Sequence, residues 1–152
     1  MHEMRMYYNL AEANELVPSL DYLFSELARI QRRINSLCEK ATKAGVMISP
    51  NAVLGISPSE SAGIPSTTNT LRALSEEYMT HLDEIAKLGV VICDVDQGIV
   101  GFYSWFAGQE IFLSWQYGEP EVRYWHAVSE LPETRRDLAE LVPSHSTSIR
   151  LH

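Results

Sequence analysis

From Ala13 to Ala44 the apolar side chains fall at alternating steps of three and four: Ala13, Leu16, Leu20, Leu23, Leu27, Ile30, Ile34, Leu37, Ala41 and Ala44. That spacing holds one apolar stripe on one side of an α-helix, where a partner must cover it. Asn9 offers a cap with Glu12 three residues on, and Gly45 ends the segment. A helix over about residues 9–44 is therefore predicted. Val17, Phe24 and Cys38 widen the stripe, which implies more than one packing neighbour. Pro18 removes one backbone donor, so a kink is expected between Asn14 and Pro18.

A second seam runs through Leu71, Leu74, Tyr78, His81, Ile85 and Leu88, with Asn69 or Thr70 as its cap and Gly89 as its end. Helices at about 9–44 and 70–88 fold back as an antiparallel hairpin. Residues 46–66 carry Pro50, Pro58, Pro65, Gly55 and Gly63 and form the connecting loop. It exceeds the ~12–15 residues of ordinary connections, and is read as a mobile link, with a lid over a site as the alternative. His81 is read as a polar seam residue that fixes register, the alternative being a pH switch or a metal site across a helical bundle.

Beyond Gly89 the apolar period changes from helical to strand-like. Strands are expected at 90–95, 99–106, 110–117 and 122–128, separated by Asp96-Gln97-Gly98, Ala107-Gly108 and Gly118-Glu119-Pro120. The expectation is an α+β fold: a long helical hairpin packed on a four-stranded antiparallel meander at about 90–128, then a short helix at 132–141 begun by Pro132. Residues 4–8 are a candidate edge strand. Residues 1–143 read as a single domain and 144–152 as a loose tail.

Twenty acidic against 12 basic side chains give a formal charge of −8. The pairs Arg32-Arg33 and Arg135-Arg136 are diluted by Glu39, Glu133 and Asp137, which argues against nucleic acid or an anionic membrane as partner. Cys38 and Cys93 are too far apart in sequence for a redox motif or a cysteine-built zinc site, and suit a reducing compartment. Residues 1–5 lack the apolar run of a signal peptide, and no stretch approaches the ~18–20 apolar residues of a membrane span. A cytoplasmic protein is expected.

Three ordered groups of residues carry a resemblance. The first is Glu12-Ala13-Asn14 with Leu16-Val17-Pro18. The second is Leu88-Gly89-Val90, Asp94, Gly98-Ile99-Val100 and Phe102. The third is Gly108, Ile111, Leu113, Trp115, Gly118-Glu119-Pro120 and Tyr124-Trp125-His126. Together the chain resembles the prokaryotic domain of unknown function 2203 family over nearly its whole length. The resemblance implies a small bacterial protein and brings no catalytic roster. Cys93 stands where the family tends to have Lys, Gly101 where it tends to have an acid, and residues 131–136 replace a Gly- and Arg-containing stretch.

Asp94, Trp115, Glu119, Arg123, Trp125 and His126 are the candidate ligand-binding residues, and His126 the candidate metal ligand. With a four-residue turn at 118–121, Leu113 opposes His126, which then shares a face with Trp115 and Tyr124. Trp115 and Trp125 would face opposite ways, and Arg123 would share the face of Trp125. Seven strand residues span roughly 23 Å, so Glu119 meets His126 only across chains or through a bent loop. Asp94 would reach His126 if the strand order joined their ends, fixing the tautomer of the imidazole. Glu119 otherwise reads as a solvated turn acid and the tryptophans as core or interface anchors. No nucleophile elbow, P-loop, dinucleotide fingerprint or HExxH occurs. The favoured function is a non-enzymatic binding or regulatory module that self-associates through the hairpin, with no cofactor. The alternative is a small-ligand or divalent-metal enzyme around His126, Asp94 and Glu119.

Overall fold

The computed structural model describes residues 5–45 and 65–141. Helix α1 is Leu10–Lys43 and α2 is Pro65–Lys87; β1 is Val91–Asp94, β2 Ile99–Phe106, β3 Gln109–Gln116, β4 Tyr124–Ala127 and β5 Arg136–Asp137. The strands form one antiparallel sheet in the order β1-β2-β3-β4-β5. The α+β class stands as read, with two corrections. The sheet has five strands, and the helix expected at 132–141 is instead β5 between two 3-10 turns, Pro132–Thr134 and Leu138–Leu141. A ten-residue helix is marginal by itself, whereas Arg136 and Asp137 gain partners in Trp125 and Tyr124 on β4. Of the loop expected at 46–66, residues 46–64 lie outside the described residues, as does the tail at 144–152, while 65–66 open α2.

The ends of α1 follow their sequence signals. Asn9 N–H donates to Glu12 Oε1 (2.9 Å) and Glu12 N–H to Asn9 Oδ1 (2.8 Å), a reciprocal cap. The helix runs unbroken through Pro18. Helix α2 starts at Pro65, ahead of Asn69 and Thr70. Proline suits a first helical position, where its missing N–H has no intrahelical acceptor to lose. Asn69 sits inside the helix, accepting from Arg72 Nη1 at 3.1 Å.

Contacts divide the chain into two compact units, one of residues up to Phe24 with those from Ile85 onward, the other Ser25–Glu84. In the second unit most of the two seams is buried, Leu27, Ile30, Ile34 and Ala41 of α1 and Leu71, Leu74 and Tyr78 of α2, with Cys38 buried beside them, whereas Leu37 and His81 are half-buried and Ala44 is exposed. Arg29 of α1 bonds Glu77 of α2 at 2.7 Å.

In the first unit, one sheet face presents Val100, Phe102, Ser104, Ile111, Leu113 and Trp115, all buried. Phe24 of α1 packs on Trp115 (ring centroids 6.0 Å apart) and Tyr8 meets Phe102 edge-on (5.5 Å). The extra stripe residues Val17 and Phe24 are thereby buried. Residues 5–8 do not form the expected edge strand. Because β1 pairs only as far as Gly101, the Tyr103 carbonyl is open to Tyr8 N–H at 2.8 Å. The return bond comes from a side chain, Ser104 Oγ to Tyr8 O at 2.6 Å, so no ladder develops. On the opposite face Phe112, Ser114 and His126 are also buried, which makes β3 a continuous buried run from Ile111 to Trp115.

Two glycines are required by their surroundings. At Gly101 a Cβ would stand 2.6 Å from Phe112 Cδ1 on the neighbouring strand. The aromatic ring occupies the space that any side chain at this position would need. Gly89 has φ +84°, and a Cβ there would stand 2.5 Å from Met6 Sδ and 3.0 Å from Tyr8 Oη. Tyr8 Oη donates to Leu88 O beside it. Gly89→Ala is therefore expected to cost about 1–3 kcal/mol through its left-handed backbone and the clash. Urea denaturation measures this; an unchanged midpoint would contradict the packing described.

Candidate functional site

The β3–β4 connection is closed by side chains rather than by a tight ladder turn. Glu119 Oε1 accepts from Gln116 N–H (2.8 Å), and Glu119 N–H donates to Gln116 O (2.9 Å). Trp115, fully buried, donates its indole N–H to Glu119 O at 2.9 Å. Val122 N–H goes to Asn14 Oδ1 of α1 (2.7 Å), and Pro120 has no N–H to give. With those donors engaged, the strands pair later than a four-residue turn would place them.

The register is accordingly one residue off the expected one: Leu113 opposes Trp125, Phe112 opposes His126, and Ser114 opposes Tyr124. A one-residue slip exchanges the faces of a strand. His126 lies with Phe112, Ser114 and Tyr124, opposite the Trp115 face, and Trp125 joins Leu113 and Trp115.

Arg135, which sequence reasoning passed over, is the centre of this region. Its Nε donates to Ser114 Oγ (2.9 Å) and Nη1 to Gln116 Oε1 (3.2 Å). Nη2 reaches Glu119 Oε1 (2.6 Å) and Ser114 O (3.4 Å). The guanidinium also stands 4.3 Å over the Tyr124 ring. At 14% side-chain exposure, the cation is held mostly out of water by groups that satisfy its planar fork. Arg136 repeats the arrangement, 4.8 Å over Trp125 and paired with Glu130, whose other oxygen accepts from Ala127 N–H at 2.8 Å. That backbone bond first, and Arg136 second, hold the Glu130 carboxyl below the usual range. The available signal was two consecutive arginines following two consecutive aromatics, Tyr124-Trp125.

The remaining candidates are dispersed. Asp94 closes the β1–β2 turn, accepting from Gln97 N–H (3.0 Å) and Gln97 Nε2 (3.1 Å). The strand order separates β1 from β4 by two strands, so Asp94 and His126 are not brought together. Arg123 is exposed and pairs with Glu121 at 3.0 Å, while the cation over Trp125 belongs to Arg136. Cys93 falls at the register break of β1, and burial, with Asp94 adding to it, pushes its thiol up, away from thiolate chemistry.

His126 is different. Its Nδ1 lies 2.9 Å from Ala127 O, which can only accept, so Nδ1 is the donor of this bond. Nε2 is buried without a hydrogen-bond partner among the described residues, as is Trp125 Nε1. These two atoms belong to opposite sheet faces. Among the described residues, the group of three ligating side chains close enough to share a cation is Glu26, Glu77 and His81, and His126 is not in it.

A family model described as "Uncharacterized conserved protein (DUF2203)" matches residues 6–138. No curated protein and no solved structure matches the chain.

Removing Arg135 leaves Glu119 and Ser114 partly buried without their cation. Arg135→Met is expected to cost about 1–3 kcal/mol in chemical denaturation, and a loss below a few tenths would contradict the network. The Glu130 carboxyl, lowered on folding, contributes stability that is present above the unfolded value of about 4.3 and is lost as pH falls through its lower folded value. Glu130→Gln is thus expected to flatten the acid limb of a stability–pH curve; an unchanged limb would contradict the pairing.

Proposed function

The chain belongs to the DUF2203 family, and from that premise and the geometry we propose that it is a non-enzymatic binding module that associates with a second copy of itself. The observation that carries this reading is an exposed aromatic surface beside the β2–β3 hairpin. Met6 is 50% exposed, Tyr7 39% and Trp105 36%. Tyr7 lies 5.5 Å from Trp105 and 6.1 Å from Tyr103, and the Arg5 guanidinium covers Tyr103 at 4.6 Å. Adjoining aromatic, methionine and arginine side chains are what interface centres are enriched in.

A second copy suits this surface electrostatically. The chain carries −8, yet Arg5 is paired with Glu110 at 2.8 Å, and Tyr7 Oη donates to the same carboxylate at 2.6 Å. The patch is locally balanced and offers both donors and acceptors, as a twofold contact needs. The helical hairpin supports self-association less well, because the residues that widen its stripe, Val17, Phe24 and Cys38, are buried within the chain. No helix among the described residues is long and apolar enough to cross a membrane. Both cysteines are free thiols, which fits a reducing bacterial cytosol.

One observation favours a second reading, a small-ligand site at His126: its buried Nε2 has no hydrogen-bond partner among the described residues. A hydrogen-bonding group on a small molecule would satisfy it. Asp94 and Glu119, engaged in their own turns, do not extend that site.

Sedimentation velocity at micromolar concentration is expected to show a species heavier than the 17.2 kDa chain, and the double change Tyr7→Ala with Trp105→Ala to return it to monomer. A clean monomer for the unaltered protein would overturn the self-association reading.

A further inference from the structure

We propose that Glu26, Glu77 and His81 form a binding site for one divalent transition-metal cation, with the Arg29 guanidinium as its built-in competitor. The proposal concerns the helical unit alone and does not depend on self-association. One ligand atom from each of the three residues lies within 4.8 Å of the other two. Donors about 2.0–2.2 Å from a common cation stand roughly 3–3.5 Å apart, so the side chains need to close by about an ångström, within reach of glutamate torsions.

The positions are built by the helices rather than by chance on a surface. Glu77 and His81 are four residues apart on α2, one turn along the same face, and Glu26 meets them from α1. All three are half-buried. The imidazole is also oriented for ligation. His81 Nδ1 lies 2.8 Å from the Glu77 backbone carbonyl, which can only accept, so Nδ1 donates there and Nε2 is the nitrogen left for a metal. A second nitrogen donating to a carbonyl is the usual support of a metal-bound histidine. One imidazole with two carboxylates is a mixed nitrogen and oxygen set, suited to manganese, iron, cobalt or zinc rather than to calcium. Its charge of −2 balances a divalent cation.

Arg29 is the counterweight. Its Nη2 reaches Glu26 Oε1 at 3.0 Å and Glu77 Oε2 at 2.7 Å, a monovalent cation on both carboxylates. The Arg29 side chain is itself 48% exposed and is free to turn toward water when a stronger cation takes its place. Such competition sets a moderate affinity that removal of the arginine would raise. This sign separates a metal site from an ordinary surface ion pair, where losing Arg29 would only cost stability.

The probe is Co²⁺, titrated into the full chain and followed by its visible d–d absorption, with thermal melts of every variant as the folding check. The expected result is one equivalent bound by the unaltered protein, weakened about tenfold or more by His81→Ala and independently by Glu77→Gln, and tightened several-fold by Arg29→Gln. No Co²⁺ absorption up to millimolar concentration, or an affinity in His81→Ala and Glu77→Gln unchanged from the unaltered protein, would overturn the proposal, the latter placing the cation elsewhere. An Arg29→Gln protein that binds no more tightly would also count against it.

Discussion

Arg135, just ahead of the edge strand β5, reaches across Tyr124 of β4 to Ser114, Gln116 and Glu119. A guanidinium placed there must be bonded through its fork or it costs several kcal/mol. That requirement fixes the geometry around it. Glu119 has to turn inward, the Gly-Glu-Pro turn has to curl over Trp115, and β4 has to pair in the one register that puts Tyr124 under the cation.

Much of the architecture was legible because it is local. The three-and-four spacing, the Asn9–Glu12 cap, the glycines after each helix and the bounds of β2 are decided by residues near one another in sequence. What was not legible is decided at long range. The β3–β4 register depends on Asn14 taking the Val122 donor from a helix more than a hundred residues earlier. Strand β5 exists because β4 offers an open edge, although its residues read as polar and helical. The candidate site suffered likewise: Glu119 and Asp94, which look available as isolated acids, are consumed by their own turns, while Arg135 and Glu130 show their importance only in three dimensions.

The ionisable groups thus divide into those that hold the sheet together and those left open to other chemistry. Among the described residues of the sheet unit, such features are the unpartnered His126 Nε2 and the aromatic surface of Tyr7 and Trp105. In the helical unit, the feature is a nitrogen and two carboxylates gathered across two helices, screened by one exposed arginine.

The central claim is that side-chain closure of the β3–β4 turn shifts the register and turns His126 away from Trp115. Backbone proton NOEs between directly opposed strand residues test it without any substitution. The account requires Phe112 opposite His126 and Ser114 opposite Tyr124. Finding Leu113 opposite His126 would return the histidine to the Trp115 face and contradict it.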